Sequence, residues 1–344
     1  MTTVYFGIND SLMVGRHNDG EWQAERQMVD KTVQCVAADP QRPEVVYCGT
    51  FGQGVWRSDD GGASWQAVGD GITHAEVMAV AVSPVERVGG EGVVYVGTEP
   101  SALFRSDDGG ATWQECTALQ SLPSKATWSY PPRPWTHHVR CIGLDPQAPG
   151  LVIVCLENGA LVRSLDGGAS FIDRTADGPM DTHTLALHPL APGRVYSAAG
   201  DGFVRPGNGY AESHDGGASW QRPDDGIAWN YGWGLAVDSA DPDTQIISTA
   251  VSPDRAHNPT QAESTLYRRS GGGQWQEVRA GLPERQGMLA SELAAHPDSP
   301  HQFFAVNNRG LFCSDDAGQT WRRVEIPWPD HFRWQHIHGL AVTP

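Results

Sequence analysis

Runs of β-branched and aromatic residues, broken by turns rich in Pro and Gly, recur along the chain in pairs, as in the stretch from Val33 to Ser58. Such pairs read as adjacent antiparallel strands. Aligned on their turns, the first members are Val33 to Asp39, Val77 to Ser83, Val139 to Asp145, Thr182 to His188, Gly232 to Asp238, Ala290 to His296 and Ile337 to Thr343. One aligned position is aliphatic in all seven: Val36, Val80, Ile142, Leu185, Leu235, Leu293 and Leu340. The next position on the same side is mixed: Gln34, Met78, Arg140, His183, Trp233, Ser291 and His338. Two residues earlier stand Thr32, Glu76, His138, Asp181, Tyr231, Leu289 and His336. The change from aliphatic to polar marks where a shared core ends and a solvent-filled mouth begins.

A short phrase follows each pair. It is Ser58-Asp-Asp-Gly-Gly-Ala-Ser-Trp65 in its first strong copy and recurs at Ser106 to Trp113, Ser164 to Phe171, Ser213 to Trp220 and Ser314 to Trp321. Weaker copies end at Trp275 and Trp22. Asp and Ser side chains bond nearby amides, Gly supplies positive φ, and the aromatic anchors the turn, so the phrase suits a tight link between two strands. It resembles the Asp-box, or BNR repeat, of sialidase-like β-propellers. The anchor aromatics lie 43, 48, 58, 49, 55 and 46 residues apart, close to one four-stranded blade per interval.

The expected fold is therefore all-β, one seven-bladed propeller of four-stranded antiparallel blades spanning 1–344. The residues after Trp321 and before Trp22 together make one further blade length, so the last strand, 336–344, is expected to complete the blade begun by 1–25. In an Asp-box blade the box joins the third and fourth strands, on the same side as the turn between the first and second. The opposite face is then built from second-to-third loops and inter-blade links. The expansions at Ala118 to Thr136, Gly200 to Tyr210 and Ser252 to Glu263 all fall there. So do Trp128, Trp135, Trp229, Trp233, Trp328 and Trp334, as ligand walls or as plugs of the channel.

Lys plus Arg number 24 against 41 Asp plus Glu, a net charge of −17 that argues against nucleic acid and anionic lipid as partners. The N-terminus lacks a basic region followed by an apolar run, and no stretch reaches the roughly 18 apolar residues of a spanning helix. A cytoplasmic protein, monomeric or a small homo-oligomer, is expected. The six Cys have no CxxC spacing and read as reduced core residues.

The chemistry is expected at the channel mouth. His138, His183, His336 and His338 are candidate ligands of one divalent ion, zinc, iron or manganese; hydrogen-bonding plugs are the alternative. His138, His183, Glu76 and Asp181 are the candidate acid–base groups. Further carboxylates, Glu99, Glu157, Asp201 and Asp254, map to the same face. Arg140 is the expected anion anchor, with Gln34, Tyr231, Trp233, Trp135 and Trp334 as substrate-binding neighbours. His188 and His296 sit in turns of the other face. The resemblance implies hydrolase chemistry on sugars, but the sialidase pattern of an early Arg-Ile-Pro is missing. Xyloglucan-cleaving relatives place substrate between two propellers, and this chain supplies one. The expectation is a hydrolase or lyase acting on a small polar or anionic, carbohydrate-like substrate. The alternative is a non-catalytic ligand- or protein-binding scaffold.

Overall fold

A computed structural model describes all residues from Met1 to Pro344. Seven antiparallel sheets form blades whose inner strands touch in a closed ring. In chain order the inner strands are Val33–Asp39, Glu76–Val88, Val139–Leu144, Thr182–His188, Tyr231–Val237, Glu292–Ala295 and Ile337–Thr343. They begin blades one to seven. The seventh is closed by both ends of the chain: Ile337–Thr343 pairs with Thr2–Ile8, which continues through Ser11–Asn18 to Glu21–Gln27. Five sheets have four strands. In blades three and four the outer strand shrinks to single bridges, Arg163 with Ile172 and Glu212 with Gln221. In blade four Pro223 follows, with no N–H to extend the ladder. In blade three the Asp173 carboxylate turns away to accept from the Ser124 and Arg174 amides.

The boxes form the expected links between third and fourth strands. In the first, Ser58 Oγ accepts from the Gly62 amide at 2.8 Å and donates to Asp60, while Asp60 accepts from the Ser64 amide and hydroxyl at 2.9 and 2.6 Å. Gly61 and Gly62 have φ of 67° and 85°, the left-handed region that this turn requires. The same set recurs around Asp108, Asp166, Asp215 and Asp316.

Three of the boxes also join neighbouring blades through a tyrosine. A second-strand tyrosine of one blade donates its hydroxyl to a box carbonyl of the next: Tyr5 to Gly61, Tyr47 to Gly109 and Tyr95 to Gly167, at 2.9 to 3.2 Å. Two residues after each of these tyrosines stands Gly7, Gly49 or Gly97. A Cβ there would overlap Val33, Val77 or Val139 at the start of the next inner strand. Blade spacing is thus set by a polar latch at one rim and a close backbone approach near the other.

The seven aliphatic positions of the inner strands line the lower channel, around a cavity of about 260 Å³. Just above them the ladders break in register. The pairing skips Gln34, Met78, Arg140 and His183 in the first four blades and slips again after Gly232, beside Trp233. A bulge leaves a residue unpaired and re-aims its side chain. Five residues expected at the channel mouth are therefore there by bulging. Blade six has no such slip, and its inner strand starts at Glu292. There Ser291, expected at the mouth, turns into its own blade to accept from Asn307, and Glu292 takes the channel position beside Arg140. A one-residue difference in register exchanges the faces.

Candidate functional site

The mouth of the channel, on the face away from the boxes, holds a cavity of about 490 Å³. Inner-strand starts supply Gln34, Met78, His138, Arg140, Tyr231, Trp233, His336 and His338. Second-to-third loops supply Glu157, Asn158, Pro253 and His257, and inter-blade links supply Tyr130 and Asp181. His257 ends a short helix, Pro253–His257, whose start is capped by Ser252 Oγ accepting from the Arg255 amide at 3.3 Å. This helix folds one of the expanded loops back over the channel.

Trp233 is the hub. Its indole N–H donates to Glu292 at 3.0 Å, its ring lies under the Arg140 guanidinium at 4.5 Å, and its faces and edges meet His183 at 4.5 Å and His257 at 4.2 Å. Arg140 is largely buried, with 14% of its side chain exposed. Its Nε has no hydrogen-bond partner, and the nearest carboxylate oxygens, of Glu157 and Glu292, stand 3.8 Å away. Burial pushes Glu292 upward, toward its neutral form.

Two polar groupings flank this hub. On one side hydrogen bonds run in one direction. The Tyr231 hydroxyl donates to His257 Nε2 at 3.0 Å, His257 Nδ1–H donates to His336 Nε2 at 2.7 Å, and His336 Nδ1–H donates to the Ile337 carbonyl at 2.7 Å. This direction belongs to neutral imidazoles, each of which accepts at one nitrogen and donates at the other. Burial agrees: it holds His257 well below its ordinary range, with help from His336, and lowers His336 to about 4 and His338 to about 3.

On the other side are the carboxylates. His138 is 2% exposed; its Nε2 contacts Glu157 at 2.9 Å and its Nδ1 faces Glu99 at 3.4 Å. Burial disfavours its charge, but the two carboxylates outweigh burial and raise its pKa. Burial would raise Glu99, yet contacts from His138 and Arg133 hold it down at about 2. Burial would raise Glu157 too, yet His138, with the charges of His183 and Arg140, holds it at about 2, while burial raises Asp181. His183 donates from Nδ1 to the Gly232 carbonyl at 2.7 Å, so in the neutral ring the lone pair is on Nε2, 3.6 Å from Asp181.

The expected site residues sort accordingly. Gln34, His138, Arg140, Asp181, Tyr231, Trp233, His336 and His338 border the upper cavity, and His183 borders the channel just below. Glu76 pairs with Glu99 at the head of its strand, outside the lining. Trp135 and Trp334 are 80% and 50% exposed and stand away from the cavity. Trp128 and Trp328 pack into blade cores instead. The four histidines do not share one centre, since the Trp233 ring contacts both His183 and His336 and His138 is occupied by carboxylates. His188 and His296 are turn residues on the other face, accepting at Nδ1 from the amides of Leu190 and of Asp298 and Ser299. His257, Tyr130 and Glu292 were not expected. His257 had a signal, its place within an expanded loop of the working face.

Fold and boxes define the class: this is an Asp-box β-propeller with a ligand-sized cavity at its channel mouth. The model of the BNR/Asp-box repeat family matches residues 104–115, around the box of blade two. No curated protein matches the sequence. Among solved structures, an ancestral GH74 enzyme is similar at TM-score 0.65 and 20% identity, over 87% of this chain and 39% of that one. The GH74 enzyme of Niastella koreensis is similar at 0.65 and 17%, over 92% and 53%. YCF48 bound to a D1 peptide is similar at 0.57 and 18%, over 85% and 81%. The chain thus spans about half or less of the two GH74 enzymes, and the likeness to all three is one of fold. No helix is long and apolar enough to cross a membrane.

Proposed function

We propose that the channel-mouth cavity binds a small polar substrate carrying an anionic group, a sugar acid being the type, and that the protein is a hydrolase or lyase acting on it. The observation that carries this reading is Arg140: a buried guanidinium, spread on an indole, open to a 490 Å³ cavity and without a partner at Nε. A buried guanidinium without hydrogen bonds to the protein is costly, and a ligand carboxylate reaching it from the cavity meets it with charge-assisted bonds. Trp233, Tyr231 and Tyr130 offer aromatic walls for the apolar faces of a sugar ring, and Glu157, Asp181 and His183 supply the reacting groups. The fold likeness to GH74 enzymes is in keeping with saccharide chemistry. The likeness to a peptide-bound propeller favours a second reading, a non-catalytic binding protein. An extended peptide, however, covers a rim, whereas the polar groups here converge inside a small cavity.

The test is a panel of hexuronates, other sugar acids and their neutral parent sugars, followed by tryptophan fluorescence and calorimetry. An acid should bind at one per chain, better than its neutral parent. Arg140→Met should lower its affinity about 10- to 100-fold, the worth of a charged hydrogen bond. Equal binding of acid and parent, or no effect of Arg140→Met, overturns the reading.

A further inference from the structure

Three side chains beside the cavity remain without a structural task that accounts for their arrangement. Glu157, Asp181 and His183 each offer one donor atom, and the three atoms lie within 4.8 Å of one another. They come from two segments: Glu157 from a second-to-third loop, and Asp181 and His183, two residues apart, from the head of the next blade's inner strand, where His183 is bulged. Carboxylates gathered in this way repel one another, and a cluster alone is no site. His183 supplies the independent observation. It is 2% exposed, and its Nε2 is buried with no hydrogen-bond partner, aimed toward Asp181 at 3.6 Å. Its other nitrogen donates to the Gly232 carbonyl. In the neutral ring that bond selects the tautomer with its lone pair on Nε2, the usual preparation of a ligating imidazole.

The surroundings hold the trio in place. Asp181 accepts from the Asn158 amide at 2.9 Å, and the Asp181 amide itself donates to Asp201 at 3.0 Å. His138 contacts the other carboxylate, Glu157, at 2.9 Å. Gly200 packs so closely that a Cβ would collide with the Asp181 carboxylate and the His183 ring. Its φ of −74° is ordinary, so the space, and not the backbone, calls for glycine.

From this geometry we infer that Glu157, Asp181 and His183 form a binding site for one divalent first-row cation, with its remaining coordination positions facing the cavity. One imidazole with two carboxylates suits manganese, iron or zinc over softer ions. Donors about 2.1 Å from an ion stand about 3.4 Å apart, so the trio closes by about an ångström on binding. The inference deepens the proposed function, which takes the same three side chains as its reacting groups, but it uses none of Arg140, Trp233 or Tyr231, the groups that bind the substrate there. Bound there, the cation would act as a Lewis acid toward a substrate oxygen.

The experiment is calorimetric titration of chelator-treated protein with manganese chloride and, separately, zinc chloride, with electron paramagnetic resonance of the manganese sample. Wild type should take up one ion per chain. His183→Ala and Asp181→Asn should each weaken binding about 100-fold or more, as loss of a ligand does. Gly200→Ala keeps every ligand but fills the space between them, and should also weaken binding, with its circular dichroism unchanged. His336→Ala, on the far side of Trp233, should bind as wild type does. Absence of stoichiometric uptake by wild type up to ~1 mM of either ion overturns the inference. So does uptake that survives His183→Ala or is abolished by His336→Ala. Because Arg140→Met should leave ion uptake intact, failure of the substrate reading is seen separately.

Discussion

Asp60 illustrates how a single side chain organises a turn. It is exposed, yet it accepts from the Ser64 amide and the hydroxyls of Ser58 and Ser64, and those bonds lower its pKa to about 2. Asp60→Ala should lower stability by about 1 kcal/mol, the cost of a lost cap-type bond, in urea unfolding. Ion uptake and ligand affinity should not change, since the box lies on the opposite face. Arg140 is the reverse case, a residue whose nearest carboxylates in the protein stand 3.8 Å away, too far to hydrogen-bond. Arg140→Lys keeps the charge but loses the planar fork and its stacking on Trp233, so it should fall well short of restoring the affinity lost in Arg140→Met. Calorimetry with the best sugar acid checks this.

At the scale of the element, the glycine of the second strand decides how close two blades come. Gly97 lies against Val139 of the next inner strand, so Gly97→Ala should cost about 1–3 kcal/mol, as overpacking in a core does. Gly15, in another second-to-third hairpin, has only ordinary contacts near its Cβ, the nearest being Trp22 at 3.7 Å. Gly15→Ala should therefore be neutral or raise stability by up to about 1 kcal/mol through the unfolded chain. Paired urea titrations compare the two. A similar cost at both positions would show that close blade approach is not what Gly97 serves.

At the scale of the whole molecule, the channel mouth couples folding to pH. His257, His336 and His338 are buried neutral, with His336 held at about 4 and His338 at about 3, against an unfolded value near 6.5. The groups facing them are Arg140, whose charge lowers all three, and Glu157, which opposes this at His336. Below about pH 6.5 the unfolded chain binds protons that the folded chain refuses, so stability falls as pH is lowered toward 4. The slope is about 1.4 kcal/mol per pH unit for each histidine within its window. His138 runs the other way, being raised; its contribution is present at low pH and is lost as pH rises through its folded value. The expected net result is acid destabilisation that begins near pH 6, above the carboxylate range. His338→Gln should flatten that slope between pH 6 and 4 in urea midpoints measured across pH, and an unchanged slope would remove His338 from this account.

Much of this was legible along the chain because propeller strands are local. In six of the seven blades the inner strand pairs with its immediate successor, a box closes on residues four apart, and repetition lets each copy correct the reading of the others. The aliphatic ring and the polar ring above it could be read for that reason, and with them Arg140, His138, His183, Trp233 and His338. Blade six shows where alignment failed. Lacking the bulge, it presents Glu292 where Ser291 was expected, and no residue type announces a missing bulge. The links were less legible still: Trp135 and Trp334 were expected beside Trp233, yet one lies in an exposed turn and the other at the exposed end of a 3-10 helix.

The sequence by itself determined the number of blades, the closure of the ring by the two ends of the chain and the face on which polar residues collect. Those follow from periodicity and from turn chemistry, which act over a few residues. Tertiary structure alone decided which of the polar residues meet. Glu157 of one blade meets Asp181 and His183 of the next, His257 reaches His336 across 79 positions, and Trp233 separates the two groups. Such meetings depend on the bulges, the blade spacing set by glycine and the fold of the expanded loops, and each is a distance in space that no local pattern encodes.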